Sequence, residues 1–246
     1  MDFTKIDALQ DKLKSLRPLN QAELRRLHED FMVQNTYDSN AIEGNTLTLR
    51  ETGLVLEGLT IAEKPLKMHL EVIGHRDAFE YMIKLADANE PLTERRIKEI
   101  HSLVMIHEAE IRGIYRNLPV IIRGAVHVPQ QPYLVAPQME ALLADWETIK
   151  SSKHIIEAVA EFHLRFEGIH PFLDGNGRTG RLILNLELIK AGLLPVNIKF
   201  TDRLKYYNCF DSYYGEACTV EPLARLIAEY EIGELERRIQ IIENMQ

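Results

Sequence analysis

The sequence predicts an all-α protein with one short β-hairpin, and three observations support this fold class. Apolar residues recur at three- and four-residue spacing along most of the chain, which is the period of an amphipathic helix. Runs of β-favouring residues are confined to the stretch between Gly113 and Pro137, which is too little strand for an α/β sheet. No internal repeat or low-complexity tract is found. We therefore expect a helical bundle with a small hairpin beside it.

Length, charge and cysteine content narrow the class of protein. A chain of 246 residues can bury a full hydrophobic core. Its 29 basic and 37 acidic residues give a formal charge of -8, which disfavours broad attraction to nucleic acid. Two cysteines, Cys209 and Cys218, suit free thiols in a reducing compartment. Without a secretory leader or a long apolar run, we expect a cytoplasmic protein that binds neither nucleic acid nor membranes.

The first 33 residues predict two amphipathic helices. Their apolar residues follow helical spacing on both sides of a break at Arg17-Pro18. Asn20, with Glu23 three positions later, has the pattern of a capping box at the start of the second helix.

A short helix is expected next, within residues 36–49. Ser39 and Glu43 are four positions apart, so they share one side of a helical turn. Gly44 and Asn45 are residue types that end helices. Glu43 would thus lie near a helix end, although the same pattern also occurs in capped turns with a solvated glutamate.

The middle of the chain predicts three more helices and then the hairpin. Helical spacing runs from Leu54 to Val104 with a break at 89–93, where Thr93 can cap the third helix. The β-favouring runs 120–122 and 125–128 lie on either side of Arg123-Gly124, which indicates a hairpin. An irregular surface loop is the alternative.

Five further helices are predicted in the second half of the chain. The first two cover about 139–146 and 155–166, and the last two cover about 203–214 and 222–241. Between these pairs, residues 170–181 connect one apolar helix to another that includes 182–189. The loop is therefore held between two rigid, buried elements.

This loop has the composition of a phosphate site. Gly175-Asn176-Gly177 permits backbone conformations that turn successive N–H groups into one concavity. The amino terminus of the following helix adds free N–H groups and a positive dipole end. Arg178 and Arg181 are neighbours on its first turn, and guanidinium groups match phosphate oxygens.

Two further side chains suggest chemistry on a nucleotide polyphosphate. Asp174 is an oxygen ligand suited to Mg²⁺, which bridges phosphates and keeps several waters. His170 can accept a proton from a hydroxyl at neutral pH, although a lone histidine before proline is more often structural. The sequence lacks the Walker, dinucleotide-binding and zinc-peptidase motifs.

Residues 170–181 match the pattern His-Pro-Phe-x-Asp/Glu-Gly-Asn-Gly-Arg-x-x-Arg without a departure. In this motif the chain resembles the Fic family, and the likeness extends from about Ser39 to Glu229. Residues 115–129 resemble the family's flap, and Ser39-x-x-x-Glu43-Gly44-Asn45 resembles its inhibitory motif. The position of this motif ahead of the core resembles the subgroup that has an amino-terminal inhibitory helix. The implied division is 1–92 for a helical region with the inhibitory motif, 93–230 for the Fic core and 231–246 for a helical extension.

The resemblance implies a protein adenylyltransferase that transfers AMP from ATP to a Ser, Thr or Tyr hydroxyl of a target protein. His170 would deprotonate the hydroxyl and Asp174 would hold Mg²⁺. Asn176 with the two glycines would cradle the α-phosphate, while Arg178 and Arg181 would contact phosphates.

The resemblance also implies regulation. Glu43 would form a salt bridge with Arg181 and hold the γ-phosphate in the wrong orientation, and in some relatives this glutamate supports removal of AMP. Tyr206 and Tyr207 lie where relatives place part of the adenine pocket, with ordinary core packing as the alternative. Self-modification and a homodimer are further expectations.

Two alternatives to AMP transfer remain open. One is transfer of UMP, phosphate or phosphocholine by the same loop. The other is a non-catalytic module that senses nucleotides.

Overall fold

The computed structural model describes residues 1–122 and 124–244, and this part of the chain is all-α, as predicted. Its α-helices, in chain order, are α1 Thr4–Ser15, α2 Gln21–Ile42, α3 Leu49–Leu56, α4 Leu66–Asp87, α5 Glu94–Val104, α6 Val135–Ser152, α7 Ile155–Ile169, α8 Asn176–Lys190, α9 Arg203–Tyr214 and α10 Glu221–Asn244. Two short 3₁₀ turns cover Pro132–Leu134 and Phe200–Asp202. None of these described residues forms a β-strand.

Helices α7 and α8 form the centre of the bundle. Helix α8 packs against α7, α4 and α5, while α7 also packs against α6 and α10. Nearly every side chain of α8 is buried, the polar ones included. The connection between α7 and α8, residues 170–175, is therefore held at both ends by helices at the centre of the bundle.

Two predicted helix caps are confirmed. The Asn20 side chain accepts hydrogen bonds from the N–H groups of Ala22 and Glu23, and the Glu23 side chain bonds back to the Asn20 N–H. Thr93 accepts from the Arg96 N–H at the start of α5. These contacts satisfy N–H groups that a helix leaves without partners at its first turn.

The predicted helix with Glu43 near its end is present, but it is not a short one. Helix α2 continues without a break to Ile42, and Glu43 is its C-cap. The end of α2 is polar but buried, because tertiary partners satisfy its side chains: Asp38 accepts from Asn197 Nδ2 at 2.6 Å and from the Phe200 N–H at 2.9 Å. Packing against the core thus stabilises a segment whose own periodicity is weak.

The predicted hairpin does not appear in the described residues of 115–129. No ladder of backbone hydrogen bonds joins 120–122 to 125–128 there, and the turn has one bond of 3.3 Å from the Ala125 N–H to the Ile122 oxygen. Arg123, at the predicted turn, lies outside the described residues. Apolar side chains of this segment are exposed, with Ile121 at 80%. Without packing partners for such side chains, β-propensity alone is a weak determinant of strand structure.

Two further properties bear on function. Neither cysteine forms a disulfide, with Cys209 buried and Cys218 exposed. Within the described ranges, no helix combines the length and the apolar character needed to cross a membrane.

Candidate active site

His170 ends α7 in a left-handed conformation with φ 50°. Its side chain lines a cavity, and its Nδ1 lies 3.3 Å from the Glu167 carbonyl oxygen. A proton on Nδ1 can donate to this carbonyl, which leaves Nε2 as an acceptor. Burial lowers the pKa of His170 below its ordinary value of 6.5. The imidazole is therefore neutral and able to take up a proton at neutral pH.

The loop after His170 is fastened by Phe172 and Asn176. The Phe172 ring is fully buried and stacks on His101, with ring centroids 3.6 Å apart. The Asn176 side chain forms two bonds of 2.9 Å, accepting from the Phe172 N–H and donating to the Phe172 oxygen. The side chain of Asn176 therefore holds the loop, while its backbone N–H lies at the start of α8.

His101 joins the loop to α5. Its Nδ1 accepts from the Gly113 N–H at 2.8 Å, so Nε2 carries the proton. Nε2 donates to the backbone oxygen of Asp174 at 2.8 Å. Burial lowers the pKa of His101 to about 4. This histidine is a neutral structural residue.

The anion-binding geometry differs in one respect from the predicted glycine nest. Gly175 is left-handed with φ 77° and forms the N-cap of α8, but Gly177 is already helical. The N–H groups of residues 176–178 are the first of the helix and have no acceptor one turn earlier. The anion site is thus the amino terminus of α8, which follows one left-handed glycine, Gly175.

Arg178 is buried beside two carboxylates. Its Nη2 lies 3.3 Å from Asp174 Oδ1, and its Nη1 lies 3.4 Å from Glu71 Oε1. The side chain of Arg178 is only 2% exposed, whereas that of Asp174 is 51% exposed. Asp174 therefore stands at the solvent side of this cluster.

Arg181, one turn further along α8, is held by the end of α2. Its Nε donates to Ser39 Oγ at 3.1 Å, and its Nη2 donates to the Ser39 oxygen at 2.9 Å. Nη2 also donates to Glu43 Oε1 at 2.8 Å. The expected contact between Glu43 and Arg181 is therefore present.

The Glu43 carboxylate lies directly over the start of α8. A methyl group added at Gly177 would come within 2.2 Å of Glu43 Oε1. This close approach, and not a positive φ, is what requires glycine at position 177. A carboxylate thus already occupies the positive end of α8 beside Arg181.

A cavity of about 250 Å³ connects these groups. Glu43, His170, Gly177 and Arg181 form one wall. Aromatic residues form another wall: Tyr206, Tyr207, Phe210 and Tyr214 from α9, with His127 from the 115–129 segment. A cavity of this kind can hold a flat ring against aromatic side chains with an anion at the helix end.

The two predicted tyrosines have different surroundings. Tyr206 is buried, and its hydroxyl lies 2.7 Å from His163 Nε2. Tyr207 is 41% exposed, and its hydroxyl donates to the Ile42 oxygen. Tyr207 therefore also ties the cavity to the end of α2, next to Glu43.

Sequence reasoning missed two residues of the cavity region. Glu167 lies in the cavity wall, where burial and then the charge of Glu43 raise the pKa of its carboxyl to about 8. Burial lowers the pKa of neighbouring His163 to about 3. The available signal was the placement of two ionisable residues, four apart, in the apolar stretch of α7.

Arg116 was also missed, although it holds the 115–129 segment against the loop. It is buried and donates to the backbone oxygens of His170 and Gln130, each at 2.7 Å. Its N–H donates to the Pro171 oxygen at 2.9 Å. Arg116 thus fixes the backbone of the residue whose imidazole faces the cavity.

Comparison with known proteins agrees with this arrangement. The sequence profile of the Fic/DOC family matches residues 91–188. The protein adenylyltransferase Fic of Nematostella vectensis is 37% identical over 230 residues, covering 91% of this chain and 52% of that protein. The chain spans about half the length of the curated relatives that it matches.

Solved structures extend the likeness to nearly the whole chain. A Fic domain containing signaling protein from Bacteroides thetaiotaomicron superposes with a TM-score of 0.88 at 30% identity, covering 98% of this chain and 97% of that one. Fic-1 from C. elegans superposes with a TM-score of 0.86 at 28% identity, covering 99% of this chain and 72% of that one.

Proposed function

Because this chain belongs to the Fic/DOC family, we propose that it is a protein adenylyltransferase that transfers AMP from ATP to a target protein. The acceptor is a Ser, Thr or Tyr hydroxyl. The observation that carries the proposal is the shared cavity, in which a neutral His170 faces the amino terminus of α8 and Arg181. A base beside an anion site is what transfer of a phosphate ester to a hydroxyl requires.

The proposed reaction assigns one step to each group. The adenine ring lies against the aromatic wall that includes Tyr206 and Tyr207, and the phosphates lie at the N–H groups of residues 176–178. Nε2 of His170 takes the proton of the acceptor hydroxyl as its oxygen forms a bond to the α-phosphorus. The bond from the α-phosphorus to the bridging oxygen breaks, and pyrophosphate leaves.

Asp174 fits the magnesium ion that such a transfer uses. Although burial opposes ionisation, the nearby Arg178 and the Gly175 N–H hold the pKa of Asp174 below its ordinary value. In the described part of the chain no cluster of three or more His, Cys, Asp or Glu side chains could hold a metal. The ion would therefore rest on Asp174, phosphate oxygens and water, and would neutralise phosphate charge.

Glu43 supports the proposal that the enzyme is held inactive in this state. Its carboxylate occupies the positive end of α8 and engages Nη2 of Arg181. A γ-phosphate would compete with it for the same guanidinium group. Residues 39–45, the inhibitory motif, thus keep a phosphate from its productive position.

Removal of AMP from a modified target is a second candidate activity of the same site. Glu43 lines the cavity together with His170, and its side chain is 33% exposed. A carboxylate placed there can orient a water molecule toward a bound phosphate ester. If so, Glu43→Ala abolishes AMP release from a labelled target; unchanged release excludes this role.

A labelling experiment with several nucleotides tests which donor the protein uses. We propose incubating Glu43→Gly protein and a cell lysate with ATP labelled at the α- or the γ-phosphate, with α-labelled UTP and with labelled CDP-choline. Compared with the same lysate incubated with the His170→Ala variant, additional label is expected only from α-labelled ATP. Additional label from γ-labelled ATP, UTP or CDP-choline identifies another donor class.

His170→Ala separates an enzyme from a nucleotide-sensing module. In the Glu43→Gly background it should abolish labelling while ATP binding, measured by calorimetry, survives. A module would keep its biological effect without His170.

The cellular setting and assembly are part of the proposal. Two unpaired cysteines support a reducing, cytoplasmic location. Exposed Leu24 on α2, Leu59 between α3 and α4, and Leu66 at the start of α4 leave apolar surface in the amino-terminal region for a homodimer. Light scattering over a range of concentrations checks the dimer, and labelling of the protein itself checks self-modification.

A further inference from the structure

Glu71 on α4 is a partly buried carboxylate with no place in the reaction described above. Its side chain is 12% exposed, and its Oε1 lies 3.4 Å from Arg178 Nη1. His107 Nε2 is 3.9 Å from the same oxygen, which is beyond hydrogen-bond distance. Arg178 is therefore the cation that this carboxylate faces.

The other oxygen of Glu71 is held by the inhibitory motif. Asn45 Nδ2 donates to Glu71 Oε2 at 2.9 Å and to the Met68 oxygen at 3.1 Å. Asn45 Oδ1 accepts from the Leu47 N–H at 3.0 Å. Asn45 is thus fixed between the end of α2 and α4, and it orients the Glu71 carboxylate toward α8.

Arg178 needs a carboxylate that stays in place. A buried guanidinium without a negative partner is unfavourable, and its two carboxylate neighbours are Asp174 and Glu71. Asp174 is half exposed and is the group that we assign to the metal ion. Glu71 is only 12% exposed, lies at the other terminal nitrogen of Arg178, Nη1, and has no competing role.

We propose that Glu71 is a positioning residue that aims Arg178 at the phosphates of the bound nucleotide, and that Asn45 acts through it. The inference rests on the proposed function. Residues 39–45 then influence both arginines, because Glu43 contacts Arg181 directly while Asn45 reaches Arg178 through Glu71. The two carboxylates have opposite effects on phosphate binding. Glu43 keeps Arg181 from the phosphates, whereas Glu71 holds Arg178 in position for them.

The contact distances agree with this difference. Glu43 Oε1 is 2.8 Å from Arg181 Nη2, a short charge-assisted hydrogen bond. Glu71 approaches Arg178 through one oxygen at 3.4 Å, so the guanidinium group keeps N–H donors for another anion. Glu71 therefore fixes the position of Arg178 without engaging both terminal nitrogens of its guanidinium group.

The test measures dissociation constants of ATP and of adenosine by calorimetry. Glu43→Gly serves as the parent, and Glu71→Gln is added to it. A glutamine has one acceptor oxygen, so it cannot serve both Asn45 and Arg178. Glu80→Gln, on the exposed face of the same helix, removes the same charge as a matched control.

We expect Glu71→Gln to weaken ATP binding about tenfold and to leave adenosine binding unchanged, because adenosine has no phosphates. The Glu80→Gln control should bind both ligands as the parent does. Equal or tighter ATP binding by Glu71→Gln overturns the inference. So does a parallel loss of adenosine binding, since that indicates a general structural role.

Asn45→Ala completes the cycle. If Asn45 acts through Glu71, the double variant Asn45→Ala/Glu71→Gln binds ATP no more weakly than Glu71→Gln alone. Additive losses overturn the link to Asn45. If the Glu43→Gly parent does not bind ATP at all, that distinct result contradicts the proposed function, and this inference with it.

Discussion

Glu43 and Arg181 are 138 residues apart in sequence, yet Glu43 Oε1 accepts a hydrogen bond from Arg181 Nη2 at 2.8 Å. The carboxylate lies over Gly177 at the start of α8, beside the cavity that His170 lines. One ion pair thus joins the end of α2 to the loop that we propose to be catalytic. In the proposed reaction, a nucleotide phosphate competes with Glu43 for Arg181.

Ser39 should add to the restraint on Arg181. Ser39→Ala removes the 3.1 Å bond from Arg181 Nε but keeps the bond to the Ser39 backbone oxygen. We expect AMP transfer to rise about two- to tenfold, less than in Glu43→Gly, measured with α-labelled ATP. Ser151→Ala removes an exposed hydroxyl on α6, which donates to the Thr148 backbone oxygen, and should change nothing. A fall in transfer would contradict this role.

Asn176 should matter for stability more than its position in a phosphate loop suggests. Asn176→Ala leaves the Phe172 N–H and oxygen, both buried, without their side-chain partners. We expect the free energy of unfolding in urea to fall by about 2–4 kcal/mol. The matched control is Asn208→Ala, an exposed position on α9. A change within about 0.5 kcal/mol would show that the loop is held by other contacts.

Glu167 should make stability depend on pH. Burial first, and the charge of Glu43 second, raise the pKa of its carboxyl from 4.5 to about 8 in the folded state. Below about pH 4.5 both states are protonated, and above about pH 8 both are ionised. Between these values only the unfolded state releases the proton. The free energy of unfolding therefore falls as pH rises through this window.

Comparison with Glu167→Gln isolates the effect. Between pH 5 and pH 8, wild type should lose on the order of 2–4 kcal/mol relative to the variant, measured by urea unfolding. The pKa of Glu231 is also raised to about 8 by burial, but this contribution cancels in the difference. Glu43→Gln should shrink the loss by removing a negative neighbour. Parallel pH curves for wild type and Glu167→Gln would exclude a raised pKa.

Local sequence patterns predicted the features that depend on neighbours in the chain. The caps at Asn20 and Thr93 follow from short-range hydrogen bonding and are present. The loop between α7 and α8 also follows from a local pattern. The pairing of Glu43 with Arg181 was expected from family likeness, since no periodicity specifies a contact between distant residues.

The remaining features depend on tertiary contacts. Glu71 has no local signature, because its importance comes from Arg178, which lies on another helix. For Glu167 the sequence shows an ionisable residue in an apolar stretch, but the raised pKa depends on burial and on the charge of Glu43. Helix α2 extends to Ile42 because α4, α8 and the 200–202 turn cover its polar end. Gly177 requires glycine because of a side chain from another helix. In each case the cause lies far away in the sequence.

The central claim is that Glu43 restrains an AMP transferase through Arg181. The most direct test compares wild type, Glu43→Gly and Glu43→Gln for incorporation of label from α-labelled ATP into protein, with Glu43→Gly/His170→Ala as the blank. We predict a rise of about 10- to 100-fold in both single variants, because each removes the charge that holds Arg181, and no label in the blank. Equal rates in wild type and both single variants would contradict the account.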